Sequence, residues 1–315
     1  MAINHTLVSV IVPSFNRADS VGKTIESILN QQVDSDIEIV VGDDCSTDNV
    51  RDLLEDYRRR YPEIIRIFLR SENIGLGANW AQCVKDCRGE FICNCDDDDY
   101  WHNPHKLQLQ LDYYREHSGC NILMTDHRTE DSCTGKIVEH KAYINKDVDI
   151  QEAMWGGSNF CNATIMYRAD FVKTHLDLDN FIQRRFSLQD WPALVILTAY
   201  SNVDILPVST TTHVIGTVGI TRPDTVERLA HRLYDDKEIF HYLMELFPDK
   251  FPYSEFYWNQ YVNGRLMSKA FDLGQYDVAK RYGKECNNIG RIKRICSQNR
   301  LLFELYVWVK KMKRK

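Results

Sequence analysis

No stretch of this sequence approaches the ~18 consecutive apolar residues that a bilayer-spanning helix needs. Met1–Thr6 carries no basic segment, and the apolar run Leu7–Val12 is too short for a secretory leader, so a cytoplasmic protein is expected. There is no internal repeat and no low-complexity segment. With only 15 glycines and 8 prolines in 315 residues, collagenous and disordered chains are excluded. Positive charge is scarce on average. The net charge of −6 argues against a nucleic-acid binder. The 10 cysteines lack finger spacing: Cys83/Cys87 and Cys93/Cys95 fall at helical and strand intervals, with no His pair beside them. They are read as reduced thiols. A phosphate-binding P-loop is absent, and the segment ENIGLGANW (72–80) lacks the third glycine of a dinucleotide fingerprint.

What is present is regular alternation. Val8–Val12, Ile37–Gly42, Ile64–Leu69 and Phe91–Cys95 read as short buried strands. Helical spacing separates them at Val21–Leu29, Asn49–Arg60 (closed by Pro62) and Asn79–Cys87. This predicts right-handed βαβ units and a parallel sheet covered on both faces. His105–His117 reads as a helix, Asn121–Asp126 as a strand, and 127–150 gives no clear pattern. Residues 160–168 and 203–217 read as strands, and Trp191–Tyr200 as a helix. From Pro223 onward the pattern is helical, with breaks at Phe247–Pro252 and Gly290. The expected division is an α/β domain over residues 1–220 and a helical region over 221–315.

The most informative segment is CDDDDYW (95–101), four adjacent carboxylates at the end of a buried strand. Such packing is costly at low effective dielectric unless a cation neutralises it. Ligands of open α/β sheets bind at the carboxyl ends of the strands, which is where this tetrad falls. Strand alternation sends Asp96 and Asp98 to one side and Asp97 and Asp99 to the other, until the chain turns. Hard oxygen ligands favour Mg²⁺ or Mn²⁺. A second acidic turn, GDDCSTD (42–48), follows the second strand. Asp44 there can accept from a ribose or a base N–H, while Ser46 and Asp48 can cap the next helix. Gly75 and Gly77 let backbone pass close to a bound nucleotide.

Taken together, these segments resemble family 2 glycosyltransferases of the GT-A fold, a Rossmann-like, mostly parallel sheet flanked by helices, here with a C-terminal helical appendage. VSVIVPSFNR (8–17) resembles the family's opening strand. IVVGDDCSTD (39–48) resembles its uracil-binding turn, with Cys45 in place of the common glycine. ENIGLGANW resembles its NxGxxxARN segment, departing from it at Trp80, and CDDDDYW its DXD metal motif. The resemblance implies that Asp44 accepts from uracil, that Pro13 and Ser14 line the base pocket, and that Asn16, Arg17, Asn73, Gly75, Asp96 and Asp98 bind the nucleotide sugar. It implies a Mn²⁺ or Mg²⁺ ion held by Asp98, Asp99 and His213. Asp190 of QDWP (189–192) matches the family's late carboxylate and would deprotonate the acceptor. Gln189 replaces that motif's usual acid. The QxxRW motif of processive synthases is missing, so transfer of a single sugar is expected. Trp155, Gly156 and Gly157 fall where acceptor loops lie. The partners implied are a UDP-sugar and a glycan or polyprenyl-diphosphate-linked acceptor. Two other readings stand beside this one: a nucleotidyltransferase, and a non-catalytic sugar-nucleotide-binding protein.

The mean charge conceals two unlike parts. Residues 280–315 hold twelve Lys/Arg against Glu285 and Glu304, a local +10 that leaves −16 on residues 1–279. Leu301, Leu302, Leu305, Tyr306, Trp308 and Val309 precede the basic end. An amphipathic helix of this kind is expected to meet an anionic membrane surface, peripherally and on the inner face.

Overall fold

Val8, Val10 and Ile11 are fully buried, and so are Ile39, Val40 and Val41. Strands that are apolar at successive positions must be covered on both faces. The computed structural model meets that demand, and it describes residues 7–144, 159–216, 224–248, 255–286 and 291–312. The chain forms two compact units, Met1–Thr217 and Val218–Lys315. The first runs β1 (Leu7–Ser14), α1 (Val21–Leu29), β2 (Asp36–Asp43), α2 (Val50–Arg60), β3 (Ile65–Leu69), α3 (Leu76–Asp86), β4 (Phe91–Asn94) and β5 (Tyr100–Trp101). It continues through α4 (Lys106–Glu116), β6 (Ile122–Asp131), β7 (Ile137–His140), β8 (Met166–Arg168), α5 (Ala169–His175), α6 (Leu178–Arg184), α7 (Asp190–Thr198) and β9 (Val203–Ile215).

The strands form one sheet of order β3-β2-β1-β4-β8-β6-β9-β5, with β7 paired to β6. β3, β2, β1 and β4 are parallel, in the register Ser14↔Asp43 and Ile11↔Asn94. Their carboxyl ends therefore share one edge, and the loops that follow collect there. Beyond β4 the sheet is mixed: β8 is antiparallel to both β4 and β6, and β9 runs parallel to β6. Val21, Ile25 and Ile28 of α1 pack with Val50, Leu54 and Tyr57 of α2 and with the sheet in one core.

Two expectations from the sequence need correcting. Residues 160–168 are not one strand: Asn162–Thr164 form a 3₁₀ turn before β8. The Thr164 hydroxyl bonds back to the Cys161 carbonyl at 2.7 Å, so local side-chain bonding replaces a strand ladder. The tetrad does not alternate either. The strand ends at Asn94, and the Asp99 N–H donates to the Asp96 carbonyl at 3.0 Å, which closes a turn. The short helices α5 and α6 and the two-residue β5 carried no legible periodic signal.

A buried charge near the amino end of the sheet ties three segments together. The Glu38 carboxylate accepts from the Ser9 hydroxyl (2.5 Å), the Arg88 N–H (2.6 Å) and Arg66 (2.9 Å). Burial raises its pKa, but these donors outweigh burial and hold it below the usual glutamate value. A depressed carboxylate stabilises the fold above its unfolded pKa, and the gain is lost as pH falls through the folded value. Glu38→Gln is expected to cost about 3 kcal/mol near neutral pH, because it removes the buried charge that pairs with Arg66 and leaves that guanidinium only the Asp86 carbonyl. Urea titrations should also show a flatter acid limb, below pH ~4.5. An unchanged acid limb would remove Glu38 from this role.

The second unit consists of α8 (Val226–Leu246), α9 (Glu255–Leu273), α10 (Tyr276–Lys284), α11 (Arg291–Gln298) and α12 (Arg300–Met312). Leu229, Leu233, Leu266, Met267, Phe271 and Phe303 form its core. Of the expected breaks, Phe247 caps α8, while 249–252 and Gly290 lie outside the described residues. A further break, at Gly274, separates α9 from α10. Among the described residues no helix is long and apolar enough to cross a membrane.

Candidate active site

Asp43 and Asp44 are adjacent yet do different work. Asp43 is neutralised by Arg51 at 2.6 Å, which also donates to the Arg70 carbonyl at 2.7 Å. It belongs to the scaffold. Asp44 accepts from the backbone N–H groups of Ile74 (2.7 Å) and Gly75 (2.9 Å), and the Asn73 amide donates to the Asp44 carbonyl at 3.3 Å. The sequence-selected Asp44, Asn73 and Gly75 are thus one hydrogen-bonded group. Gly75 starts α3 at φ 89, a left-handed conformation that favours glycine. At Gly77 a Cβ would lie 2.5 Å from the Phe186 carbonyl, which the Gly77 N–H meets at 3.0 Å. This close approach draws the segment leading to Asp190 against α3.

Two further left-handed residues mark the loop edge, Asn16 (φ 53) and Cys45 (φ 62). The Asn16 side chain accepts from the Thr47 N–H at 2.8 Å, and its own N–H donates to the Ser46 hydroxyl at 2.9 Å. Asparagine tolerates this region, whereas cysteine is strained in it. A glycine would adopt this conformation without strain. Pro13 and Ser14, at the end of β1, oppose Gly42 and Asp43.

The turn splits the tetrad into two pairs. Asp97 accepts from the Phe15 N–H at 3.1 Å, and Asp97 and Asp98 share Arg17 at 3.8 and 3.3 Å. Burial and the neighbouring Asp98 push the Asp97 carboxyl up to about 7, against the Ser14 hydroxyl and Arg17. Burial also raises Asp98, with Asp99 adding to it. On the other side Asp99 is 2% exposed. It meets His213 Nδ1 at 3.0 Å, the Val214 N–H at 2.9 Å and the Cys161 thiol at 3.8 Å. Burial lowers the His213 pKa, but the hydrogen bond and charge of Asp99 override it and the net shift is upward.

Asp96 has the greatest concentration of like charge. Burial raises it first, then Asp99, Asp190, Asp98 and Asp97. Its carboxylate lies 3.5 Å from the side-chain amides of both Asn162 and Gln189. A relay runs behind it: Trp80 donates to Asn94 at 2.8 Å, and Asn94 donates to Asn162 at 3.1 Å. Trp80, the departure from the third motif, is the donor that starts this relay. Asp190 opens α7 and accepts from the Trp191 N–H at 2.7 Å. Trp155, Gly156 and Gly157 lie outside the described residues.

The ligand atoms of Asp99, Cys161 and His213 lie within 4.8 Å of one another. A carboxylate, an imidazole and a thiol at this spacing, beside carboxylates that resist ionisation together, suit a divalent cation. Asp98, expected as a third ligand, lies 3.3 Å from Arg17. Cys161, Asn162 and Gln189 went unread as site residues. Cys161 is one thiol among ten, and no local spacing distinguishes it.

The profile of glycosyl transferase family 2 matches residues 9–176, more than half of the chain. The protein belongs to glycosyl transferase family 2. A putative teichuronic acid biosynthesis glycosyltransferase of Bacillus subtilis, TuaG, is 36% identical over 112 residues, covering 36% of this chain and 43% of TuaG. The chain spans between about a third and a half of the length of such curated relatives. Among solved structures, S. aureus TarS in complex with UDP-GlcNAc aligns with a TM-score of 0.57 at 18% identity, covering 98% of this chain and 91% of that one. The mannosyltransferase PcManGT of Pyrobaculum calidifontis, in complex with GDP-Man and Mn²⁺, aligns at 0.53 with 13% identity, covering 99% and 89%. These likenesses bear on the fold, which is the GT-A arrangement of mostly parallel sheet and flanking helices.

Proposed function

We propose that this chain is a metal-dependent inverting glycosyltransferase. It moves one hexose or N-acetylhexosamine from a UDP-sugar to a glycan acceptor. The acceptor is a lipid-diphosphate-linked intermediate of bacterial surface polysaccharide, O-antigen or capsule, met at the cytoplasmic face of the membrane. The observation that carries the reading is the 3.5 Å contact of Asp96 with the amide of Gln189, the residue before Asp190, beside the Asp99–His213 pair at the carboxyl edge of the sheet. That edge offers both requirements of inverting transfer, a cationic site for the leaving group and a separate base.

Asp44, with Asn73 and Gly75, receives the base of the donor between the ends of β1 and β2, beside Pro13 and Ser14. Asn16 holds the β1–α1 loop against the β2–α2 loop, and Arg17 reaches across to the tetrad. Asp96 and Asp98 take the ribose and sugar hydroxyls. A divalent ion, Mn²⁺ or Mg²⁺, held by Asp99 and His213 supplies charge neutralisation for the departing nucleoside diphosphate. Asp190 takes the proton of the attacking acceptor hydroxyl, and the Asn162 and Gln189 amides fix Asp96 beside it. Trp155, Gly156 and Gly157 are assigned to the acceptor side. The TuaG likeness supports a cell-envelope polysaccharide, and the TarS complex supports a UDP-linked donor.

A panel of UDP- and GDP-sugars, with Mn²⁺ and a lipid-diphosphate sugar acceptor, tests the reading. Transfer from a UDP-sugar is expected, with inversion visible by NMR of the product. Exclusive use of GDP-sugars would overturn the donor assignment. Nucleotide binding without sugar release would overturn the transferase reading itself.

A further inference from the structure

In α12 the inward side is settled. Phe303 is 1% exposed and packs on Phe271 and Tyr276, with ring centroids 4.6 and 5.4 Å apart. Tyr306 meets Phe271 edge-on at 5.3 Å, and Lys310 pairs with Asp272. The opposite side is also apolar, yet its side chains are exposed among the described residues. Leu301 is 78% exposed, Leu305 55% and Trp308 59%. At the ~100° per residue of an α-helix these three fall within one ~60° arc, and Leu302 and Val309, also exposed, widen it to ~120°. Fifteen large apolar residues are exposed among the described residues, and these five share one 13-residue helix. Such a cluster is not the scattered surface hydrophobicity of ordinary proteins. Arg300 and Glu304 pair at 3.2 Å on the flank of the arc. Basic residues follow at 310, 311, 313, 314 and 315.

We infer that the outward face of α12 docks on an anionic lipid bilayer. The arc supplies bulky side chains for the headgroup–acyl boundary, and Trp308 belongs by its chemistry at that depth. In the sequence the basic residues follow Trp308 directly, and anionic headgroups would complement their charge. A purely apolar protein partner gives no reason for the four bases among residues 311–315. A nucleic-acid backbone gives no reason for the leucines. The inference depends on no particular donor or acceptor, so it stands or falls apart from the transfer reaction.

Flotation of the full chain with vesicles tests it. Vesicles containing phosphatidylglycerol should carry the protein upward, and phosphatidylcholine vesicles should carry at least about tenfold less. High salt should weaken the binding. Leu301→Ser combined with Leu305→Ser should lower partition to phosphatidylglycerol vesicles about tenfold or more, with circular dichroism and melting unchanged because both sites are exposed. Equal partition to the two lipids, or no effect of the double substitution, would overturn the inference. So would a dimer in sedimentation velocity that the same substitution dissolves while lipid partition stays as it was.

Discussion

Asp99→Asn should abolish the Mn²⁺ dependence expected of UDP binding. In calorimetric titrations, adding Mn²⁺ should tighten UDP binding to the unaltered protein. The variant should bind equally weakly with and without the ion, a loss of ~10²-fold or more. Removing one partner from a buried, hydrogen-bonded charge pair typically costs 2–5 kcal/mol, which brackets that loss. Asp99 faces His213 at 3.0 Å and the Val214 N–H at 2.9 Å in a nearly water-free position. An amide keeps the size but removes the charge that both the imidazolium and a metal require. The pH dependence has a definite sign. The folded-state pKa of His213 is raised, so its ion pair with Asp99 stabilises the metal-free protein fully below about 6.5 and is lost as pH rises through the raised value. Metal needs the deprotonated imidazole, so Mn²⁺ affinity should climb over that same rise. Affinity that is flat with pH and indifferent to the substitution would remove Asp99 and His213 from the metal site.

Asp190→Asn should reduce kcat by about 10²–10⁴-fold and leave UDP binding intact. The amide oxygen can still accept from the Trp191 N–H, bonded now at 2.7 Å, so the start of α7 survives. Alanine would confound the result by also removing that bond. A selective fall in turnover separates an enzyme with a base from a binding module, whose function the substitution would spare. Transfer at the original rate would reject Asp190 as the base. Lost UDP binding would make it part of the nucleotide pocket.

β1 and β2 were legible because each holds a run of β-branched residues, and such runs mean burial on both faces, while β3 and β4 were legible as short apolar stretches between helical ones. Their loops carried the motifs, so Asp44, Asn73 and Gly75 were found before any contact was known. The stretch from Asn159 to Ile215 was harder. Asn162 and Thr164 read as strand residues by composition, but buried side-chain bonding folds them into a turn. The alternation expected for Asp96–Asp99 failed because the chain turns at the first aspartate. That turn, and not strand pleat, divides the carboxylates between Arg17 and His213.

By itself, the sequence determined the parallel half of the sheet, the family, the acidic tetrad and the basic end of the chain. Those features are local, written in periods of two and 3.6 residues and in contiguous motifs. Only the tertiary structure brought Cys161, Gln189 and His213 to side chains 62 to 114 residues earlier in the chain, with Asp190 next to Gln189. β8 enters antiparallel beside β4, and β9 joins through β6, and no short-range pattern encodes that strand order. The outward face of α12 is a second case. Leucine spacing specifies an apolar stripe, but only packing decides which stripe is covered by Phe271 and which is left to face outward.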